Sequence, residues 1–197
     1  MAHFAKFQDL LREGKVEAIP LTEDYAFKHF DCGNDLLNDF LFSESKAHFR
    51  HLRFATTLLE ANDKVIAYYS LANDLLTIRD IEDFIEEIES DKTPNIESGY
   101  WEYFINQARY PAIKLGRLAV DVDFQSQGVG NFIIQSLVQS FITNNNTGCQ
   151  FITVDAINDH CQQRAMNFYE RHGFKYLTLA DMGNDSRVMY KSLISCL

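Results

Sequence analysis

The six residues Gln125 to Gly130, Gln-Ser-Gln-Gly-Val-Gly, have the composition of an anion-binding loop. An apolar run from Leu115 to Val122 precedes them, and Ile134, Leu137, Val138 and Phe141 follow at helical spacing. A strand that enters a helix through such a loop turns the unpaired N–H groups of the first helical turn, and the positive end of the helix dipole, toward any anion held there. Gly128 and Gly130 allow the backbone to approach that anion closely. The chemistry indicated is recognition of a phosphate group. A Walker loop would end in Gly-Lys-Ser/Thr, where this chain has Gly130-Asn131-Phe132, and a dinucleotide fingerprint would need glycine where Ile133 stands.

The remaining pattern, Gln-x-x-Gly-x-Gly, resembles motif A of the GCN5-related N-acetyltransferases, whose loop binds the pyrophosphate of acetyl-coenzyme A. A second stretch, AMNFYERHGF at 165–174, resembles motif B of the same family, a helix with a Phe-Tyr pair that ends at Gly-Phe before the next strand. The resemblance extends from about residue 16 to 193. It implies an α/β fold with a central mixed, mostly antiparallel sheet flanked by helices, in one domain over 1–197. It also implies acetyl-CoA as cosubstrate, with Gln125, Ser126, Gln127, Gly128, Val129 and Gly130 on the pyrophosphate and Leu118, Ala119 and Val120 along the pantetheine arm. Asn158 is a further candidate for the arm, although four residues, His160 to Gln163, separate its turn from the motif B helix and depart from the expected spacing.

Acetyl transfer to an amine requires a neutral amine, stabilisation of the tetrahedral oxyanion and a proton for the departing thiolate. A backbone N–H near Leu118 or Ala119 can serve the oxyanion. The resemblance places Tyr169 beside the sulfur, and a phenol with a reference pKa of about 10 is protonated at neutral pH and can donate. Asp121, Asp123, Glu102 and Tyr103 flank the strand, but nothing in the sequence orients one of them as a base. An α-amine with a reference pKa of about 8 has a usable neutral fraction without one.

The elements that must position these groups are legible in outline. Residues 3–13 read as a short helix at the domain's edge, closed by Gly14, and Val16 to Leu21 as a first strand. Phe30 to Phe49 reads as two short helical pieces, capped by Asn34 or Asp35 and by Ser43. Its Phe-x-Cys-Gly-x-x-x-Leu-x-x-Phe-Leu pattern is similar to the first helices of the acetyltransferase subgroup that includes bacterial toxins acting on aminoacyl-tRNA. Strands Phe54 to Glu60 and Val65 to Leu71 join through Ala61-Asn62-Asp63-Lys64, whose Asn-Asp pair suits a tight hairpin. An acidic helical insertion at about 77–110, with a helix over 80–90, departs from that subgroup. It is either a lid at the acceptor site or a docked helix with a wet outer face, the commoner case. Pro111 opens the coenzyme strand, and Gly116 or Arg117 marks a bulge there. The strand Phe151 to Asp155, a helix over Cys161 to Arg171 and strands Phe174 to Leu179 and Arg187 to Leu193 complete the chain.

Bulk properties narrow the function classes. The net charge is −10, from 18 Lys and Arg against 28 Asp and Glu, and residues 79–102 alone carry −7. A general nucleic-acid surface is disfavoured, because its affinity comes from neutralising phosphates. The positive groups Lys46, His48, Arg50, His51 and Arg53 form a cluster that reads as a solvated helix face rather than an anion site. Scattered cysteines and the two histidines without a third ligand indicate no metal site, and no apolar run of membrane-spanning length or secretory signal is present, so a cytoplasmic protein is expected. The expected activity is acetyl-CoA-dependent N-acetylation of a primary amine by direct attack on the thioester. Two other readings compete: toxin-like acetylation of aminoacyl-tRNA, and a non-catalytic coenzyme A-binding interaction module. A homodimer is a prior drawn from relatives, and neither aminoacyl-tRNA nor an antitoxin partner is indicated by charge.

Overall fold

The computed structural model describes residues 6–78, 98–107, 109–145, 147–158 and 163–196. In chain order the elements are helix α1 (Phe7–Arg12), strand β1 (Glu17–Pro20), helix α2 (Asp35–Asp39), a π-helical turn (Phe40–Glu44), helix α3 (Ser45–Arg50), strands β2 (Ala55–Ala61) and β3 (Lys64–Thr77), helix α4 (Ser98–Ile105), strand β4 (Arg109–Val120), helix α5 (Val129–Asn144), strand β5 (Phe151–Ile157), helix α6 (Arg164–Arg171), and strands β6 (Lys175–Tyr176) and β7 (Ser186–Ser192). The strands make a seven-stranded sheet of order β1-β2-β3-β4-β5-β7-β6. Strands β4 and β5 are parallel, with Ala112 opposite Phe151 and Lys114 opposite Thr153. The β1–β2, β2–β3, β5–β7 and β6–β7 pairs are antiparallel. The α/β class with a mixed, mostly antiparallel sheet is as the motifs imply. The helix expected over 80–90 lies outside the described residues.

The described chain groups into two compact units, Met1–Ala72 with Leu115–Ile134, and Asn73–Lys114 with Gln135–Leu197. In the first, the β2–β3 hairpin turns through Asn62 and Asp63, both at positive φ, as a tight two-residue turn demands. Its core gathers Phe30, Phe40, Leu41, Leu58, Val65, Tyr68 and Ala119. Tyr68 is fully buried and its hydroxyl donates to the Leu37 carbonyl at 2.7 Å, so the ring can be enclosed without an orphaned polar atom. The segment 35–50 is continuous rather than two capped pieces. Asn34 caps its start by accepting from the Leu37 N–H, whereas the Ser43 hydroxyl donates to Asp39 within the π turn and caps nothing.

In the second unit, Phe104, Tyr110, Phe151 and Tyr190 pack with Leu76 and Ile78, and the Tyr110 hydroxyl donates to the Phe104 carbonyl at 2.8 Å. Strand β4 begins two residues before Pro111. Strand β6 is two residues long instead of the expected Phe174 to Leu179. The Asp181 carboxylate accepts from the Val188 N–H and from Arg187 Nε, while Arg187 also donates to the Thr178 carbonyl. This staple turns the chain away from β7 after Leu177.

Candidate functional site

The predicted loop lies wholly in the first unit. A short 3-10 turn, Val122–Phe124, follows β4, and α5 then opens with the Phe132 N–H bonded to the Gly128 carbonyl at 2.9 Å. Gly128 therefore caps the helix. Its φ of +88° is a conformation that side-chain-bearing residues avoid, whereas a Cβ there would meet only Gln8 Nε2 at an ordinary 3.7 Å. Backbone conformation, not space, demands the glycine. Val129, Ile133, Ile134 and Leu137 are buried at helical spacing and fix the helix by its apolar face. The N–H groups of Val129 and Gly130 lie in the first turn, where a helix leaves its donors for an outside acceptor.

The loop's glutamines are committed to protein atoms. Gln125 Nε2 donates to the carbonyls of Cys32 and Val120, at 2.9 and 3.0 Å. Gln127 Oε1 accepts from the Phe7 N–H at the start of α1, and its Nε2 donates to the Asp123 carbonyl. Phe7 also meets Phe132 edge-on at 5.5 Å, so α1 packs on the loop. These bonds hold the loop's shape; the Gln125 N–H is bonded to the Asp121 carbonyl at 3.1 Å, and the backbone amides of Ser126 to Gly130 are the groups that could meet an anion. Ser126 is exposed and at positive φ.

Of the coenzyme-strand candidates, Ala119 points into the first unit's core, while Leu118 and Val120 are half-buried. Gly116 has its own packing reason: a Cβ there would lie 2.3 Å from the Phe54 ring. Asp121 is fully buried and accepts from Lys64 Nζ (2.7 Å) and from the N–H groups of Asp31 and Asp123. It is a structural carboxylate that ties the end of β4 to the hairpin. Burial works against the charge on Lys64, but its bonds to Asp121 and Asp123 outweigh this and raise its pKa.

Tyr169 and Asn158 belong to the second unit. Tyr169 lies on α6, half-buried, with Phe168 and Phe174 edge-on at 5.2 Å each. Its hydroxyl has no hydrogen-bond partner among the described residues. Burial raises the pKa of the phenol, so it holds its proton through the neutral range. Asn158 is buried, and its Nδ2 donates to the carbonyls of Met182 and Asn184, tying the end of β5 to the loop before β7.

The second unit also holds an open cleft of about 960 Å³ that sequence reasoning did not find. Asp74, Thr153, the Lys114–Asp155 ion pair (2.5 Å), Leu177, Leu179 and Tyr190 are among the residues that line it. Its sequence signal was the pair of polar residues two apart, Thr153 and Asp155, in the otherwise apolar strand FITVDAI. Alternation puts both on one face of the sheet.

Residues 87–176 match the family model described as "Acetyltransferase (GNAT) domain". The fold is similar to that of a Tyr-to-Phe mutant of KacT, at 20% identity and TM-score 0.68, over 92% of this chain and 96% of that one. It is likewise similar to AtaT complexed with acetyl-methionyl-tRNAfMet (22%, 0.67, 92% and 96%) and to AtaTR bound with AcCoA (24%, 0.66, 92% and 96%). Residues 87–176 thus match a GNAT acetyltransferase domain, an acyltransferase by class, and the fold is the GNAT fold.

Proposed function

We propose that this protein is an acetyl-CoA-dependent N-acetyltransferase whose acceptor is a primary amine. The observation that carries the reading is the glycine-capped start of α5, a helix terminus in the strand-loop-helix context of motif A, with both loop glutamines bonded back to protein. The residues fit a pyrophosphate. Backbone N–H groups of the loop and the positive end of the helix dipole favour an anion at the Gly128 turn. In this reading Leu118, Ala119 and Val120 lie along the pantetheine arm, with the Val120 carbonyl already accepting one bond from Gln125. The committed amide of Asn158 supports a structural role, with only its oxygen left for the arm.

The amine nitrogen attacks the thioester carbonyl carbon, the carbon–sulfur bond breaks as the amide forms, and Tyr169 supplies the proton to the thiolate. The raised pKa of Tyr169 supports that role, since the phenol stays protonated at the pH where an α-amine begins to be neutral. Asp121 is spent on Lys64 and is not the base. Acetylation of aminoacyl-tRNA is a second reading, supported by the likeness to AtaT complexed with acetyl-methionyl-tRNAfMet and by the Phe30-to-Leu41 pattern. An antitoxin partner is proposed on the same footing, from the likeness to AtaT bound to the C-terminus of AtaR. Among the described residues no helix is long and apolar enough to cross a membrane, and we place the activity in the cytoplasm.

The test is thiol release from acetyl-CoA by the purified protein, offered a charged tRNA pool or a panel of small amines and peptides. Release that requires charged tRNA and disappears on deacylation supports the second reading. Release with a small amine alone supports an acceptor outside RNA. Coenzyme A binding with no release from any acceptor would overturn both and leave a coenzyme-binding module.

A further inference from the structure

The cleft of the second unit has an unequal charge inventory. Lys114 is paired with Asp155, and Asp181 with Arg187, so those four charges are compensated within the protein. Asp74 is different. Its one described partner is the hydroxyl of Thr153, which is itself buried, and none of the described Lys or Arg residues is ion-paired with it, Lys114 of the same cleft being held by Asp155. A carboxylate oriented by a buried hydroxyl at the wall of a cleft, with no ion-pair partner among the described residues, is a receptor for a positive group. A metal ion is a poor occupant, because no three potential ligands are grouped among the described residues. An ammonium needs only one carboxylate and gains a charge-assisted hydrogen bond from it.

Apolar groups line the cleft as well. Tyr190 belongs to the buried cluster with Leu76 and Ile78, Leu177 packs against that cluster, and Leu179 stands 76% exposed at the rim. With Leu177 and Tyr190 of the lining, Leu179 offers an apolar group a surface to pack on. The volume of about 960 Å³ is that of a small-molecule site. We infer that this cleft binds a protonated primary amine carrying an apolar substituent, with Asp74 as the anchor for the ammonium and Leu177 and Leu179 taking the substituent. The inference rests on the acetyltransferase reading only in naming this ligand, once its ammonium has lost a proton to solvent, as the acceptor; the binding site itself stands on the cleft.

Binding is measured by calorimetry on the full chain without acetyl-CoA, using leucinamide, glycinamide and 4-methylpentanamide, the leucinamide skeleton without its amine. Leucinamide is expected to bind at least tenfold more tightly than either analogue. Asp74→Asn should remove that advantage over 4-methylpentanamide, and Leu179→Asp should remove the advantage over glycinamide. Leu179 is exposed, so its variant keeps the fold and the second comparison decides even where Asp74→Asn melts early. Equal affinity for leucinamide and 4-methylpentanamide, or no saturable binding of leucinamide, would overturn the site. Thiol release is read separately. Leucinamide binding with no release from any acceptor would leave the cleft standing and remove the acetyl-transfer reading, whereas release with other amines and no leucinamide binding would do the reverse.

Discussion

The Tyr169 ring is flanked by Phe168 and Phe174, and burial keeps its hydroxyl protonated without any described hydrogen bond. Replacing Tyr169 by Phe keeps the ring packing and removes the one acidic proton, so turnover should fall by about tenfold or more while coenzyme affinity is retained. An unchanged rate in a single-turnover assay would remove Tyr169 as the acid. At Gly128 the cause is conformational. Gly128→Val forces a β-branched residue to φ +88°, which should cost about 1–3 kcal/mol in stability and weaken acetyl-CoA binding, as thermal melting and titration would read. Both residues were legible in the sequence because their neighbours in the chain carry the signal, the Phe-Tyr pair and the Gly-x-Gly spacing. Asn158 was not, since the carbonyls it bonds, at Met182 and Asn184, come from a segment whose approach no local pattern announces.

Among the elements, α1 departs most from its expected place at the domain's edge. Its Phe7 N–H bonds Gln127 and its Phe7 ring meets Phe132, so a helix distant in sequence braces the loop between β4 and α5. Gln127→Leu deletes the acceptor for Phe7 and the donor for Asp123 while keeping side-chain volume. We expect a stability loss of about 1–2 kcal/mol and a several-fold rise in the acetyl-CoA dissociation constant. Lost stability with unchanged coenzyme affinity would show that the brace serves the fold alone. The elements themselves were legible wherever periodicity or turn chemistry was strong, as in α5 and the β2–β3 hairpin. Shortened β6 was hidden by side-chain bonds: the Asp181–Arg187 staple overrides an apolar stretch that reads as strand. In the Lys46 to Arg53 cluster Arg50 pairs with Glu23 and Lys46 lies over the Phe27 ring, while His48 departs from a solvated face and packs against Phe40 and Phe54.

For the whole molecule, the charge inventory sets how stability responds to base. Burial raises the pKa of Tyr68 and Tyr169, and Tyr25 is raised by burial and by its bond to Glu60; Lys64 is raised by its aspartates despite burial. For every one of these groups the folded state holds its proton to higher pH than the unfolded state does. Their contribution is therefore complete below the unfolded pKa of about 10 and is lost as pH climbs past it. The melting temperature should be level up to about pH 9 and fall steeply above pH 10, and Tyr68→Phe should flatten that fall. An unchanged slope in the variant would contradict the assignment. The overall architecture was legible because two motifs fix the β4–α5–β5–α6 order. The Lys64–Asp121 tie was not, because it joins a hairpin turn to a strand end across 57 residues.

The π turn at Phe40–Glu44 has a consequence for ancestry. The Ser45 N–H reaches back five residues to the Phe40 carbonyl, so the helix from Asp35 to Arg50 carries one residue more than an α-helix of the same length needs. Losing a single codon within the turn would restore α-helical bonding with both flanks keeping their faces, whereas losing one from an α-helical turn beside it would rotate one flank by about 100° relative to the other. The second loss would carry either the buried pair Phe40 and Leu41 or the buried Ser45 out of the core. An alignment drawn without a gap between this chain and a relative that lacks the extra residue would therefore set one half of this helix a position out of step.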